Sequence, residues 1–198
     1  MPSSEARPRP AAGRHAALAL AVAAWAAAGA CSFLPRKVAL RYTPSKNLER
    51  RVRRTPIVLV PFLDKRPDTV SIGRAPMPGG VGTVRLKPGG DLAAWVRGAV
   101  ELELEAAGYT IAAAGSDYKV GGSVKAVSCG SDKRGVCSIR VEAWLNMKDG
   151  WQLSIRDYQG EGLRPPIFPG EDAYELSMEE ALREAVGALR RDVERLVP

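Results

Sequence analysis

The stretch IRVEAWLNMKDGWQLSIR, residues 139–156, alternates between apolar and polar residues on both sides of a Lys148-Asp149-Gly150 turn. Every second residue is apolar: Ile139, Val141, Ala143, Leu145 and Met147 before the turn, then Trp151, Leu153 and Ile155 after it. Because successive side chains of a strand point to opposite faces, each half predicts a strand with one apolar and one wetter face. Asp-Gly is a strong hairpin signal. The sequence therefore predicts an antiparallel hairpin that is covered on one side.

A third alternating run, 118–126, lies upstream and is joined to this hairpin by SCGSDKRGVCS, residues 128–138. Gly, Ser and Asp between the two cysteines are typical of a turn. In an oxidising compartment Cys129 and Cys137 are expected to form a disulfide, which would contribute about 2–3 kcal/mol. A metal site is not expected, because two thiols with no histidine nearby cannot fill four coordination positions.

Helices flank this meander. Residues 91–108, DLAAWVRGAVELELEAAG, predict a helix that is capped by Asp91 and whose apolar stripe includes Leu102. The last helix is expected to start at a capping box, Ser177-Met178-Glu179-Glu180, and to run to Leu196.

Upstream, PIVLVPF (56–62) is typical of a buried strand. The Gly- and Pro-rich segment 68–90 predicts a loop between short strands at 69–72 and 83–86. The order of elements predicts an α+β fold for a single domain, 55–198. We expect a two-layer sandwich in which two helices pack on one face of a mainly antiparallel sheet.

The N-terminus has a different composition. Basic residues precede an uncharged run, 16–30, and WAAAGACSF (25–33) leads from small residues directly into Cys31. This pattern resembles the lipobox of bacterial lipoproteins, so residues 1–30 are predicted to be a signal peptide and Cys31 the lipidated residue, carrying fatty acids such as palmitate. The residue after the cysteine is Ser32 and not Asp. By resemblance to the sorting rule of Gram-negative lipoproteins, this favours the outer membrane, with the domain facing the periplasm. An ordinary signal peptide with an incidental cysteine, or an uncleaved anchor helix, remain alternatives.

Charge divides the chain into unequal parts. The whole chain carries +7, of which +2 lies in the first 30 residues and +7 in residues 36–54, so the residues after them carry −2. We predict that residues 31–54 form a basic tether, with a short edge strand at 38–42. The tether either rests on phospholipid headgroups or is a solvated linker. A nucleic-acid partner is not expected, because aromatic residues do not interleave with the basic ones beyond Tyr42.

Several motifs together resemble one family. These are VLVPFLDKRPD followed by IG, a helix ending in LEAAGY, then DYKVGGSV, YQGEG and a C-terminal helix, over about residues 38–196. The set is similar to YajG-type uncharacterised bacterial lipoproteins. The resemblance implies a periplasm-facing α/β domain on an outer-membrane lipid anchor, and it implies no known reaction.

Catalysis is not expected, and neither is a cofactor. The one histidine, His15, lies in the predicted signal peptide, which excludes histidine-based triads from the mature chain. Asp64 could act only with a distant carboxylate such as Glu103 or Glu161, and nothing in the sequence brings these together.

Three residues are candidates for partner binding. Asp64 and Arg66 either pair with each other or with turn backbone groups, which would fix the strand exit, or they contact a partner. Trp144 lies opposite the apolar alternation, so it either faces a partner or packs under a loop or the tether.

These features predict a membrane-anchored binding or assembly component of the cell envelope, held in the membrane by its lipid and contacting envelope proteins or polymers. The alternative is an accessory lipoprotein subunit of a lipid or solute transport system. An exposed apolar or aromatic patch on the sheet would favour the first function. An apolar cavity between sheet and helices would favour the second, and a cleft with converging carboxylates would favour an enzyme.

Overall fold

A computed structural model describes residues 35–45, 55–77, 80–130, 135–164 and 172–198. The predicted signal peptide and Cys31 lie outside the described residues. The elements in chain order are β1 (Arg36–Val38), β2 (Pro56–Leu59), β3 (Leu63–Asp64), β4 (Ser71–Met77), β5 (Gly80–Leu86), α1 (Leu92–Ala106), β6 (Thr110–Ala112), β7 (Tyr118–Cys129), β8 (Cys137–Met147), β9 (Gln152–Gly162) and α2 (Ala173–Leu196). Neither helix in this part of the chain is long and apolar enough to span a membrane.

The strands form one mixed sheet around β7. One edge of β7 pairs in parallel with β2, then β3, then the start of β4, while its other edge pairs antiparallel with β8. The long ladders of β7, β8 and β9 and the β4–β5 hairpin are antiparallel, whereas the parallel pairings are short. The predicted α+β class is confirmed. The Gly- and Pro-rich segment 68–90 forms longer strands than predicted, β4 and β5, rather than a loop with short flanking strands.

The predicted disulfide is present. Cys129 and Cys137 are bonded across the end of the β7–β8 hairpin, with a Cα–Cα distance of 4.1 Å. Both cysteines are buried in the core. The bridge therefore holds the two strand ends together while it also contributes apolar packing.

Only one of the two helix starts matches its prediction. The Asp91 side chain accepts a hydrogen bond from the N–H of Ala94 and caps α1. The start predicted at Ser177 is wrong, because α2 begins at Ala173 and is capped by Asp172. Ser177 is buried inside α2, and its hydroxyl accepts the N–H of Arg164 instead of capping the helix.

The apolar face predicted for β9 is also wrong. Trp151, Leu153 and Ile155 are exposed, and the buried residues of the strand are Tyr158, Gly160 and Gly162. The two glycines allow α2 to approach closely, since a Cβ on either would collide with the helix backbone at Ala181 or Ser177. The pairing of Ile155 with Trp144 of β8 then puts Ile155 on the opposite face of the sheet.

Part of the predicted tether packs on the domain. β1 pairs in parallel with β5, two residues upstream of the edge strand predicted at 38–42. The N–H of Ala39 donates to Glu175 at 2.7 Å, and the N–H of Thr43 donates to Glu179 at 2.9 Å. Residues 35–45 thus belong to the packed domain, although the sequence placed its start at residue 55.

Candidate functional site

One face of the β7–β8–β9 sheet carries side chains that point away from the buried core, and we call it the open face. On β8 the residues from Cys137 to Leu145 alternate between buried and less buried positions, as the sequence predicted. The less buried positions, which define the open face on β8, are Ser138, Arg140, Glu142, Trp144 and Asn146. Trp144 therefore lies on the face on which the sequence placed it.

An apolar patch crosses the open face. The Trp144 ring lies against Gly121 of β7, where any Cβ would collide with it. Its neighbour across the ladder on β9 is Ile155, which is 51% exposed. Leu63 of β3, 56% exposed, pairs with Ser123 and so lies on the same face. We define the apolar patch as Leu63, Trp144 and Ile155.

The sequence identified only one member of this patch. Leu63 directly follows the predicted buried strand 56–62. Whether its side chain is exposed depends on the register in which β3 pairs with β7. Ile155 was assigned to the core by its alternation with Ser154 and Arg156. Counting back from the Met147–Trp151 pair that closes the Lys148-Asp149-Gly150 turn would pair Ile155 with Ala143, but an irregularity between Leu145 and Asn146 shifts the register by one residue and pairs Ile155 with Trp144.

Asp64 and Arg66 hold the exit of β3. Arg66 is buried and donates to both carboxylate oxygens of Asp64, from Nε at 2.9 Å and from Nη2 at 2.8 Å. It also donates to the carbonyls of Ser71 and Thr69. Desolvation by itself would raise the pKa of Asp64, but the hydrogen bonds and charge of Arg66 hold that pKa below its usual value. The pair thus satisfies the turn backbone from within the chain, the first of the two alternatives that the sequence left open.

A groove of about 690 Å³ opens along one edge of β7, where the described residues provide no partner strand. β3 pairs with β7 as far as Val124, and β4 pairs with it only at Cys129. Between these points, 125–128 have no strand partner on this side in the part of the chain that the structure describes. We call this space the basic groove; its charged lining residues are Arg66, Asp68, Arg74, Lys125 and Arg140.

Glu103 on α1 is fully buried, although the helical pattern placed Leu102 in the core. Leu102 is instead 40% exposed. The Glu103 carboxylate accepts hydrogen bonds from the Tyr42 hydroxyl at 2.8 Å and the Ser45 N–H at 2.6 Å, and it lies 3.4 Å from Arg190 Nε of α2. Burial and the hydrogen bond to Glu103 raise the pKa of Tyr42, which keeps its hydroxyl a donor.

No hydrogen bond or ion pair joins Asp64 to Glu103 or Glu161, all three of which the structure describes. Within the described ranges, no three His, Cys, Asp or Glu side chains group in a way that could hold a metal ion. The apolar gap between β8 and α2, lined by residues such as Ala143, Leu189 and Val193, has no room for a water molecule.

Comparisons with known proteins identify a shared fold. No protein-family model matches the chain, and no curated protein matches it. Protein XCC0632 from Xanthomonas campestris, described with the family model DUF330, has a TM-score of 0.53 and 18% identity over 81% of this chain and 99% of its own. A second solved structure, described as an uncharacterised protein, has a TM-score of 0.50 and 14% identity over 82% of this chain and all of its own. The chain therefore has the fold of these two proteins.

Proposed function

We propose that this chain is a lipid-anchored bacterial envelope protein that binds a partner protein through the apolar patch and catalyses no reaction. In this proposal the sheet and the two helices form two layers, and the open face is the outer surface of the sheet layer. The proposal rests mainly on the observation that Leu63 and Ile155 are both exposed and lie on the same face of the sheet as the Trp144 ring. Clustered exposed apolar side chains on a soluble domain are typical of a contact surface.

The patch is suited to binding because its central side chain is already positioned. Gly121 provides a flat backbone surface for the Trp144 ring, and Ile155 flanks it on β9. A ring that is fixed before binding loses little conformational entropy when a partner covers it. Trp is also enriched among residues that dominate interface energies. A partner that covers the patch would therefore gain affinity mainly at Trp144.

The anchor in this proposal is lipid on Cys31, in the outer membrane and facing the periplasm. The motifs that resemble YajG-type lipoproteins support this assignment. Five residue steps separate Cys31 from Arg36 at the start of β1, and these span at most about 18 Å. A lipidated chain would thus hold β1 close to the membrane surface instead of extending the domain on a long tether.

The alternative function is an accessory lipoprotein subunit of a lipid or solute transport system. Lipid carriage inside this fold would require an apolar space between sheet and helices. The gap between β8 and α2 does not admit even one water molecule. We therefore do not propose that this gap holds a lipid, and docking on the open face is the function that the geometry favours.

The test is site-specific photocrosslinking in the bacterium that makes the chain. A photoreactive amino acid at Ile155 is expected to give one discrete adduct, and the same amino acid at Leu102 is the control, because Leu102 is an exposed leucine on α1. Leu63→Glu should abolish the Ile155 adduct, because it places a charge in the patch without disturbing the core. Equal adducts at both positions, or an Ile155 adduct that survives Leu63→Glu, would overturn the proposal.

A further inference from the structure

The basic groove is built by irregularities in two strands. The β4–β5 register shifts between Ser71 and Gly73, and the β7–β8 register shifts between Val124 and Ala126. Bulges of this kind re-aim side chains and are frequent next to functional sites. Gly73 closes one end of the groove, since a Cβ there would collide with the backbone of Cys129. The gap in the sheet is thus a formed concavity with polar backbone along the β7 edge.

The charges in the groove are unevenly matched. Arg66 is paired with Asp64, and Lys125 lies 2.9 Å from Glu142. The hydrogen bond from Lys125 helps hold the pKa of Glu142 below its usual value, which favours the ionised carboxylate. These two pairs neutralise two of the four cations that the described lining residues contribute.

Two guanidinium groups remain. Arg74 on β4 and Arg140 on β8 are exposed and have no ion pair with any residue that the structure describes. Among the described residues that line the groove, the one acid is Asp68, which accepts the N–H groups of Val70 and Ser71. The groove therefore has a positive excess, although residues 55–198 carry a net charge of −2.

We propose that the basic groove binds a phosphate ester, held between Arg74 and Arg140 from opposite walls. A guanidinium group presents a planar fork of donors that matches phosphate oxygens. The volume of about 690 Å³ exceeds that of a lone ion, so the phosphate would be part of a larger molecule. That molecule is either a membrane lipid, through its headgroup, or a soluble phosphate ester. This site is separate from the apolar patch and does not depend on a protein partner.

The test is isothermal titration calorimetry on the full chain in a neutral detergent. The probes are sn-glycerol 3-phosphate as the soluble ester and dihexanoylphosphatidylglycerol as the lipid. R74Q/R140Q is expected to weaken binding at least about tenfold, as the loss of two charge-assisted contacts implies. K148Q/R191Q removes the same charge from exposed residues outside the groove lining and should change the affinity by less than about twofold.

Two results would support the phosphate site and would identify the kind of molecule that carries the phosphate. Saturable binding of glycerol 3-phosphate indicates a soluble ester, and binding of the lipid alone indicates a headgroup. The proposal is overturned if neither probe binds saturably, if both double variants lose affinity equally, or if glycerate, a carboxylate analogue, binds as tightly as glycerol 3-phosphate. R74Q/R140Q should keep the wild-type unfolding temperature because both arginines are exposed and form no ion pair with a described residue. If R74Q/R140Q lowers the unfolding temperature, the deciding variant is Arg140→Lys, which keeps the positive charge but lacks the planar guanidinium donors. The proposal then stands only if Arg140→Lys weakens binding.

Discussion

Glu103 joins three parts of the chain through one carboxylate. It accepts hydrogen bonds from Tyr42 and Ser45 of the N-terminal segment, and it lies beside Arg190 of α2. Glu103→Ala is expected to lower the free energy of unfolding by about 3 kcal/mol, because it leaves buried donors without their charged acceptor. Urea denaturation followed by circular dichroism measures this change.

Glu101→Ala is the matched control for that experiment. Glu101 lies on the same helix, but its ion pair with Arg97 is about one-third exposed. Removing an exposed pair costs at most about 1 kcal/mol. If Glu103→Ala were no more destabilising than Glu101→Ala, the buried carboxylate would not stabilise the packing of the N-terminal segment.

Residue-scale contacts could be predicted where both partners are close in sequence. Asp64 and Arg66 are two positions apart, so the sequence itself offers their pairing as an alternative. Cys129 and Cys137 enclose one short loop, and an oxidising compartment predicts their disulfide. Glu103 could not be identified in this way, because its partners lie 58 and more positions away. The helical period predicts that Leu102 is buried. Burial of the neighbouring Glu103 carboxylate depends instead on its contacts with Tyr42, Ser45 and Arg190.

At the scale of elements, the contact between β9 and α2 depends on glycine. Gly160 faces α2, and a Cβ at that position would collide with the Ala181 carbonyl. Gly160→Ala is therefore expected to destabilise the fold by about 1–3 kcal/mol, since the helix must move away from the strand. Thermal unfolding followed by circular dichroism detects the loss.

Gly98→Ala provides the comparison for Gly160→Ala. Gly98 lies within α1, and a Cβ there meets no atom within 4 Å. Helix propensity favours Ala over Gly by about 1 kcal/mol, so this variant should be as stable as the wild type or more stable. Equal effects of the two substitutions would mean that close approach at Gly160 does not limit stability.

The sequence predicts which segments form strands and helices better than it predicts which face of an element is buried or where the element begins. Alternation indicated the strands of the meander correctly, but in β9 the buried residues are Tyr158 and two glycines, whereas Leu153 and Ile155 are exposed. The start of α2 shows the same limit. Asp172 and Ser177 are both good capping residues. Asp172 caps the helix, and Ser177 is buried where its hydroxyl satisfies the N–H of Arg164.

At the scale of the whole molecule, the centre of the fold lies in pairings that no local pattern encodes. β7 joins β2, β3 and β4 on one edge through short parallel contacts between segments that are far apart in sequence. Alternation along β7 predicts that it is a strand but does not specify these partners. The basic groove exists because, among the residues that the structure describes, those contacts leave 125–128 without a strand partner on that edge. The candidate site could therefore be predicted at Trp144 but not at Arg74.

The location of the whole chain is expected to depend on lipid attached at Cys31. If Cys31 is acylated, Cys31→Ala should lose the added lipid mass and move from the outer membrane to the soluble fraction or remain unprocessed, because no lipid then holds it. Ser32→Asp is the control: by the sorting rule it should keep the lipid mass but remain in the inner membrane. Membrane fractionation with intact mass measurement separates these outcomes. If Cys31→Ala matches the wild type in both mass shift and location, Cys31 is not the anchor. The domain would then not be held within about 18 Å of a lipid surface through this residue.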